Sequence, residues 1–219
     1  MYLFVDTETT GLPLKWNAPL KDLKNWPRLV QIAWLEYDKF GNLLTQGDYI
    51  ITPKNFEIPE QSSRIHKITS KIAKERGNDL KAVLNVFNSI IEKSEFIVAH
   101  NIDFDEKIIG AEFLREYIKT DLHSKKLFCT MKSTVDFMKI PSSKGGFRYP
   151  GLGDLYRKLF GKSFADSHNA LADIKSTAEI FWKLKADGVI DPNNDFNKPV
   201  KNDSVKETKD NGEASISLF

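Results

Sequence analysis

The chain carries a single cysteine, Cys129, among its 219 residues. One thiol excludes an internal disulfide and any zinc site built from several cysteines, and it suits a reducing compartment in which the thiol serves packing. Long apolar runs are also missing. The run at the amino terminus, Tyr2 to Val5, is too short for a signal peptide, and Asp6 and Glu8 follow at once. The expectation is a cytoplasmic protein with no membrane partner. Charge of one sign is scarce as well, since 32 basic and 30 acidic residues leave a net charge of +2. Residues 191–219 hold six acids and four lysines, so residues 1–190 carry 28 basic and 24 acidic residues, or +4. Modest attraction to a polyanion follows, without a strongly basic footprint. There is no internal repeat.

With 41% hydrophobic and 28% charged residues, the chain has material for one substantial core. The expected division is a compact domain over 1–190 and a flexible polar tail over 191–219 with a hydrophobic end. A strand over Tyr2–Asp6 is followed by an ordered surface loop to about Arg28, carrying Pro13, Trp16, Pro19, Trp26 and Pro27. Leu29–Tyr37 and Leu43–Thr52, joined through Lys39–Asn42, read as a hairpin beside that strand. Apolar positions at helical spacing predict a helix over 78–93 with Asn78 as its N-cap. Phe96–Ala99 reads as a short central strand buried on both faces, delivering His100 and Asn101 to its carboxyl end. A helix from about Phe104 places Asp105 in its first turn, where the dipole favours an anion. A further strand ends near Cys129. Helices over 131–138 and 153–160 flank a Ser-, Gly- and Arg/Lys-bearing loop, 142–151, read as movable, and a last helix covers about 170–185. The class is α/β.

Three segments carry the chemistry. Phe4-Val-Asp-Thr-Glu-Thr-Thr-Gly-Leu12, His100-Asn-Ile-Asp-Phe-Asp105 and His168-Asn-Ala-Leu-Ala-Asp173 together hold four carboxylates and one histidine, as a metal-dependent phosphodiesterase site requires. Residues two apart on a strand share a face, so Asp6 and Glu8 project together toward one cation. Each segment alone also reads as ordinary structure: a strand-to-turn junction, a helix-start acid, a solvated helix acid or a cap. Four carboxylates in one cleft repel one another unless divalent cations balance them. Two Mg²⁺ or Mn²⁺ ions suit hard oxygen ligands better than zinc does, and spaced about 4 Å apart they clamp both the attacking and the leaving oxygen. His168, with an ordinary pKa of about 6.5, is the candidate general base and is expected just before the last helix.

Taken together the motifs resemble the DEDD superfamily of 3'-to-5' exonucleases, of RNase H-like fold, and its histidine branch typified by the epsilon subunit of bacterial DNA polymerase III. Asp6 and Glu8 match the first motif, Asp105 the second and Asp173 the third, while His168 matches the branch histidine. Ile65-His-Lys-Ile-Thr69 and Cys129-Thr130 add to the likeness, which spans nearly all of 1–187. The resemblance implies a mixed sheet of about five strands with helices on both faces, and 5'-mononucleotide products from single-stranded or frayed 3' ends. It also implies contacts to the terminal nucleotide from Thr9, Leu12, His66, Asn101 and Phe104. By composition alone Leu12 and Phe104 read equally as core, and Asn101 as a tie for the strand end. Lys144, Arg148, Arg157 and Lys158 read as phosphate contacts or as a solvated face.

DNA trimming in proofreading or repair and RNA trimming both fit these residues, since nothing in them reads the sugar. A non-catalytic replication-associated module is the third reading, and the complete set of five residues opposes it. The ending Ser215-Ile-Ser-Leu-Phe219 resembles clamp-binding peptides, with Ser215 in place of the usual glutamine. Ile216, Leu218 and Phe219 would then contact a sliding clamp, or else dock back on their own domain. The first motif begins at residue 4, so any polymerase partner is expected to be a separate chain.

Overall fold

The computed structural model describes residues 1–164 and 169–196. His168 and the tail residues Ile216, Leu218 and Phe219 lie outside them. In chain order the elements are β1 (Tyr2–Thr9), β2 (Leu29–Tyr37), β3 (Leu43–Ile50), α1 (Glu60–His66), α2 (Ser70–Arg76) and α3 (Leu80–Lys93). There follow β4 (Phe96–Ala99), α4 (Ile102–Arg115), β5 (Lys126–Cys129), α5 (Thr130–Ser133), α6 (Val135–Met138), α7 (Leu152–Phe160), α8 (Ala170–Ala186) and α9 (Pro192–Asp195).

The five strands form one sheet in the order β3-β2-β1-β4-β5. β1 pairs antiparallel with β2 and parallel with β4, so the expected mixed sheet is present with β1 at its centre. Alternation along β1 divides the core. Leu3 and Val5 enter a cluster with α3 and α4, including Phe87, Ile91, Ile108 and Phe113. Tyr2 and Phe4 face the opposite layer, where Ile174, Ala178 and Phe181 of α8 pack. Cys129 is buried as filler in the first of these layers, with α3 and α4, and burial pushes its thiol upward, away from reactive thiolate.

Several local expectations give way to tertiary pairing. β1 continues past Asp6 because β2 keeps pairing with it as far as Leu29, with a bulge between Glu8 and Thr9. Asp79 rather than Asn78 caps α3: its carboxylate accepts the Ala82 N–H at 3.0 Å. Asn78 is committed instead to a bridge, donating its N–H to the Ile50 carbonyl at 2.8 Å. The 131–138 helix is two short ones meeting at Thr134. Short helices α1 and α2 lack an apolar stripe long enough to show in the sequence. Between them the Ile65–Thr69 segment is a junction, with Lys67 at φ 64° and Thr69 capping α2. The 142–151 loop is a small hairpin in which Pro141 bridges Phe147. Structure also continues beyond residue 190, where α9 leads to Phe196 against Phe96, with ring centroids 6.4 Å apart.

Candidate active site

The same alternation that divides the core aims the carboxylates. Asp6 and Glu8 share the parity of Tyr2 and Phe4, so they point toward α8. Asp173 lies in the first turn of that helix, which Asn169 caps by accepting the Ala172 N–H at 3.2 Å. Ligand oxygens of Asp6, Glu8 and Asp173 consequently all lie within 4.8 Å of one another, and all three residues are half-buried. Opposite ligands of an octahedral ion with bonds of about 2.1 Å stand about 4.2 Å apart, so the spacing fits one hard divalent cation.

Asp105 reaches the site from the other face of β1. Thr7, whose parity faces α4, donates its hydroxyl to Asp105 Oδ1 at 2.8 Å. Asp105 is buried in the first turn of α4 and is not one of the three whose oxygens converge. Its charge is nonetheless felt there, since it is the strongest repulsive neighbour of Asp6. Thr7 escaped the sequence reading because an alternating strand residue carries no local signal of its partner.

Burial raises Asp6, Glu8 and Asp105, and repulsion adds to it at Asp6 and Glu8. Asp6 is pushed well above the carboxylate range by burial and by Asp105, Asp173 and Glu8. Glu8 rises to about 8 through burial, Asp173 and Asp105. Burial lifts Asp105 to about 7 against the lowering effect of the Thr7 hydroxyl. A cation would replace protons as the balancing charge. The sign follows from linkage: groups raised above their unfolded values bind more protons when folded, so they favour the fold at low pH and oppose it as pH rises. Without metal, stability is therefore expected to decline from about pH 4 to about pH 8. Mn²⁺ is expected to raise the melting temperature most at the upper end, because it binds the native state. Thermal scans with chelator and with Mn²⁺ at pH 5 and 8 measure this. A metal response absent at both values would contradict the site.

The remaining predicted residues surround this cluster. Thr9 is buried and its hydroxyl donates to the Gly11 carbonyl at 2.6 Å. His66 is buried with Nδ1 accepting the Ile68 N–H at 3.1 Å, and its ring lies against the Thr9 backbone. Burial lowers its pKa. Leu12 is 48% exposed, so it is no core residue. Asn101 is left-handed, at φ 78°, and starts α4 without a side-chain cap bond. Phe104 is half-buried one residue before Asp105. His100 is structural: with Nε2–H donated to the Pro150 carbonyl at 3.1 Å, Nδ1 accepts from Thr130 Oγ1 at 2.9 Å. Its pKa is lowered to about 4 by burial, which keeps it uncharged. Arg148, Arg157 and Lys158 line an open cleft of about 390 Å³ with Asp154, Met138 and Ile140. Lys144 does not line it and lies exposed on the 142–151 hairpin.

A strand-end acid pair facing a helix-borne acid defines a candidate phosphodiesterase centre on an exonuclease-type sheet. Residues 3–181 match the RNase_T exonuclease family, and the chain belongs to that family. No curated protein sequence matches the chain. Among solved structures it is similar to E. coli exonuclease I in complex with a dT13 oligonucleotide, at 19% identity and a TM-score of 0.68. The dA16 complex of that enzyme aligns at 18% identity and 0.66, and the zinc-bound form of its single-stranded DNA complex at 20% and 0.66. Each alignment covers 84% of this chain but 40% of the other, so the chain spans about two fifths of those proteins' length. Among the described residues no helix is long and apolar enough to cross a membrane.

Proposed function

We propose that the protein is a divalent-metal-dependent 3'-to-5' exonuclease of the histidine branch, releasing 5'-mononucleotides from single-stranded or frayed DNA ends in proofreading or repair. The observation that carries this reading is the convergence of Asp6, Glu8 and Asp173 within 4.8 Å inside a chain of the exonuclease family. DNA is favoured because the neighbours at 18% and 19% identity were solved with dA16 and dT13.

Asp6, Glu8 and Asp173 would hold divalent cations, with Asp105 completing a second position, and the ions would supply Lewis acidity for an in-line displacement at phosphorus. Mg²⁺ or Mn²⁺ fits an all-oxygen set. The chain does the rest. Thr7 fixes the Asp105 carboxylate, and Leu12 and Phe104 hold the terminal nucleotide by apolar contact. Thr9, His66 and Asn101 shape the backbone around it. His168 takes the proton from the attacking water.

The test is 5'-labelled single-stranded DNA, mismatched duplex and RNA incubated with Mg²⁺ or Mn²⁺. A ladder of stepwise shortened, label-retaining products is expected from DNA. His168→Ala is expected to lower kcat by about 10²- to 10⁴-fold, as loss of a general base does. Intact substrates under all conditions would end the proposal, and faster shortening of RNA would move it to RNA trimming.

A further inference from the structure

The segment joining β1 to β2, residues 10–28, is fastened at every stage. Thr10 and Arg28 close its base with two bonds, Thr10 N–H to the Arg28 carbonyl and Arg28 N–H to Thr10 Oγ1, both 2.9 Å. Buried Asn25 accepts the Lys15 N–H at 2.7 Å and donates to the Lys15 carbonyl at 2.9 Å. Arg115 of α4 donates to the carbonyls of Leu23 at 2.6 Å and Trp26 at 2.7 Å. Leu20 lies so close over Gly110 that a β-carbon there would come within 3.0 Å of it. The segment is a strap laid along α4.

Its free side mixes polar residues, Lys15, Asn17, Lys21, Asp22 and Lys24, with three large apolar ones. Trp16 is 39% exposed, Leu12 48% and Leu14 80%. Trp16 is the residue after Lys15, whose amide and carbonyl Asn25 grips, and its ring centroid stands 5.9 Å from that of Phe104. Of the four tryptophans, Trp26 and Trp34 are buried and Trp182 is half-buried, which leaves Trp16 as the exposed one. An exposed indole gains little from folding, yet here the backbone beside it is held by a buried amide. Rigidity of that kind reduces the entropy lost when a flat ligand stacks on it. Phe104 precedes Asp105 in the first turn of α4, so the Trp16–Phe104 pair stands at the end of the helix that carries this carboxylate.

We propose that Trp16 is a substrate-binding residue that stacks the penultimate base of a single-stranded DNA end, one step beyond the terminal base at Leu12 and Phe104. This rests on the exonuclease reading above. Stacking an aromatic ring on a base is sequence-tolerant, as trimming of arbitrary ends demands, and its loss weakens binding by about 5- to 150-fold per base.

The experiment measures kcat and KM on oligothymidylate with and without an abasic penultimate residue, for wild type, Trp16→Ala and Trp16→Phe. Trp16→Ala is expected to raise KM at least about fivefold on the intact strand, with Trp16→Phe close to wild type. The abasic residue is expected to raise KM in wild type and to add nothing further in Trp16→Ala, because both remove the same contact. Unchanged KM in Trp16→Ala, or independent additive effects of the two changes, overturns the proposal while leaving the nuclease reading intact. Failure of wild type to shorten any strand overturns both. Melting temperatures of the two variants within about 2 °C of wild type are expected, since the ring is at the surface.

Discussion

Asp6→Asn is expected to lower exonuclease turnover at least about 10³-fold and, in the absence of metal, to make the protein more stable than its parent. The two effects have one cause. Burial, and then Asp105, Asp173 and Glu8, oppose the ionisation of Asp6 in the fold. Asparagine keeps the shape and does not ionise, so folding no longer forces a carboxyl to take up a proton at this position. About 1.4 kcal/mol accompanies each unit by which a folded pKa exceeds its unfolded value, so a gain on the order of 1–3 kcal/mol above pH 7 is the scale. At low pH, where the carboxyls are protonated in both forms, the gain should vanish. The same substitution removes an anionic ligand, and several kcal/mol of charge stabilisation in the transition state correspond to the turnover loss. Thermal scans in chelator at pH 5 and 8, the same scans with Mn²⁺, and initial rates on labelled DNA read all three quantities. Retained activity within tenfold, or a metal-free variant clearly less stable than wild type at pH 8, would contradict the assignment of Asp6 to a cation site.

The second large effect is on stability and lies away from the carboxylates. Glu112, fully buried in α4, accepts at Oε1 from Arg28 Nε at 2.9 Å and from the Leu29 N–H at 2.9 Å, and pairs with Arg115 at 3.0 Å. Removing one partner of a buried pair costs about 3–5 kcal/mol, because the charges left behind stay desolvated. Glu112→Ala strands Arg115 inside and deprives the first amide of β2 of its acceptor. A fall in melting temperature of roughly 10 °C is expected for a domain of this size. Glu112→Gln restores an acceptor for the amide and is expected to recover part of the loss. Arg115 also holds the strap that carries Trp16, so Glu112→Gln should raise KM for single-stranded DNA more than it changes kcat. Differential scanning calorimetry and steady-state kinetics on the two variants check this, and a loss below 1 kcal/mol in Glu112→Ala would show that the clamp is not what holds the strap.

Much of the geometry of the candidate site was legible because its signals are local. The two-residue period of a strand puts Asp6 and Glu8 on one face whatever surrounds them, and a first-turn acid such as Asp105 or Asp173 is recognisable from its place before an apolar stripe. Phe96–Ala99 was readable as a doubly covered strand because all four residues are apolar. The misplaced features share a different physics. Asn78 and Asp79 compete equally for a cap until the Ile50 carbonyl claims Asn78. Helices of seven residues, α1 and α2, are too short to show a period, and α2 is held by Ala73 packing with Val30, Ile58 and Ile68 rather than by its own propensity.

By itself the sequence determined the chemical inventory, the class of fold and the parity that turns Asp6 and Glu8 in one direction and Thr7 in the other, because each of these depends on residue type and short-range spacing. Tertiary structure alone decided that Asp173 meets the strand pair while Asp105 approaches from behind through Thr7. It also decided that Glu112 and Arg115 bind residues 23–29 to α4, and that Trp16 stands beside Phe104. Those are contacts between residues about 90 or more positions apart in most cases, and nothing along the chain encodes the meeting until the sheet has brought α4 and α8 to its two faces.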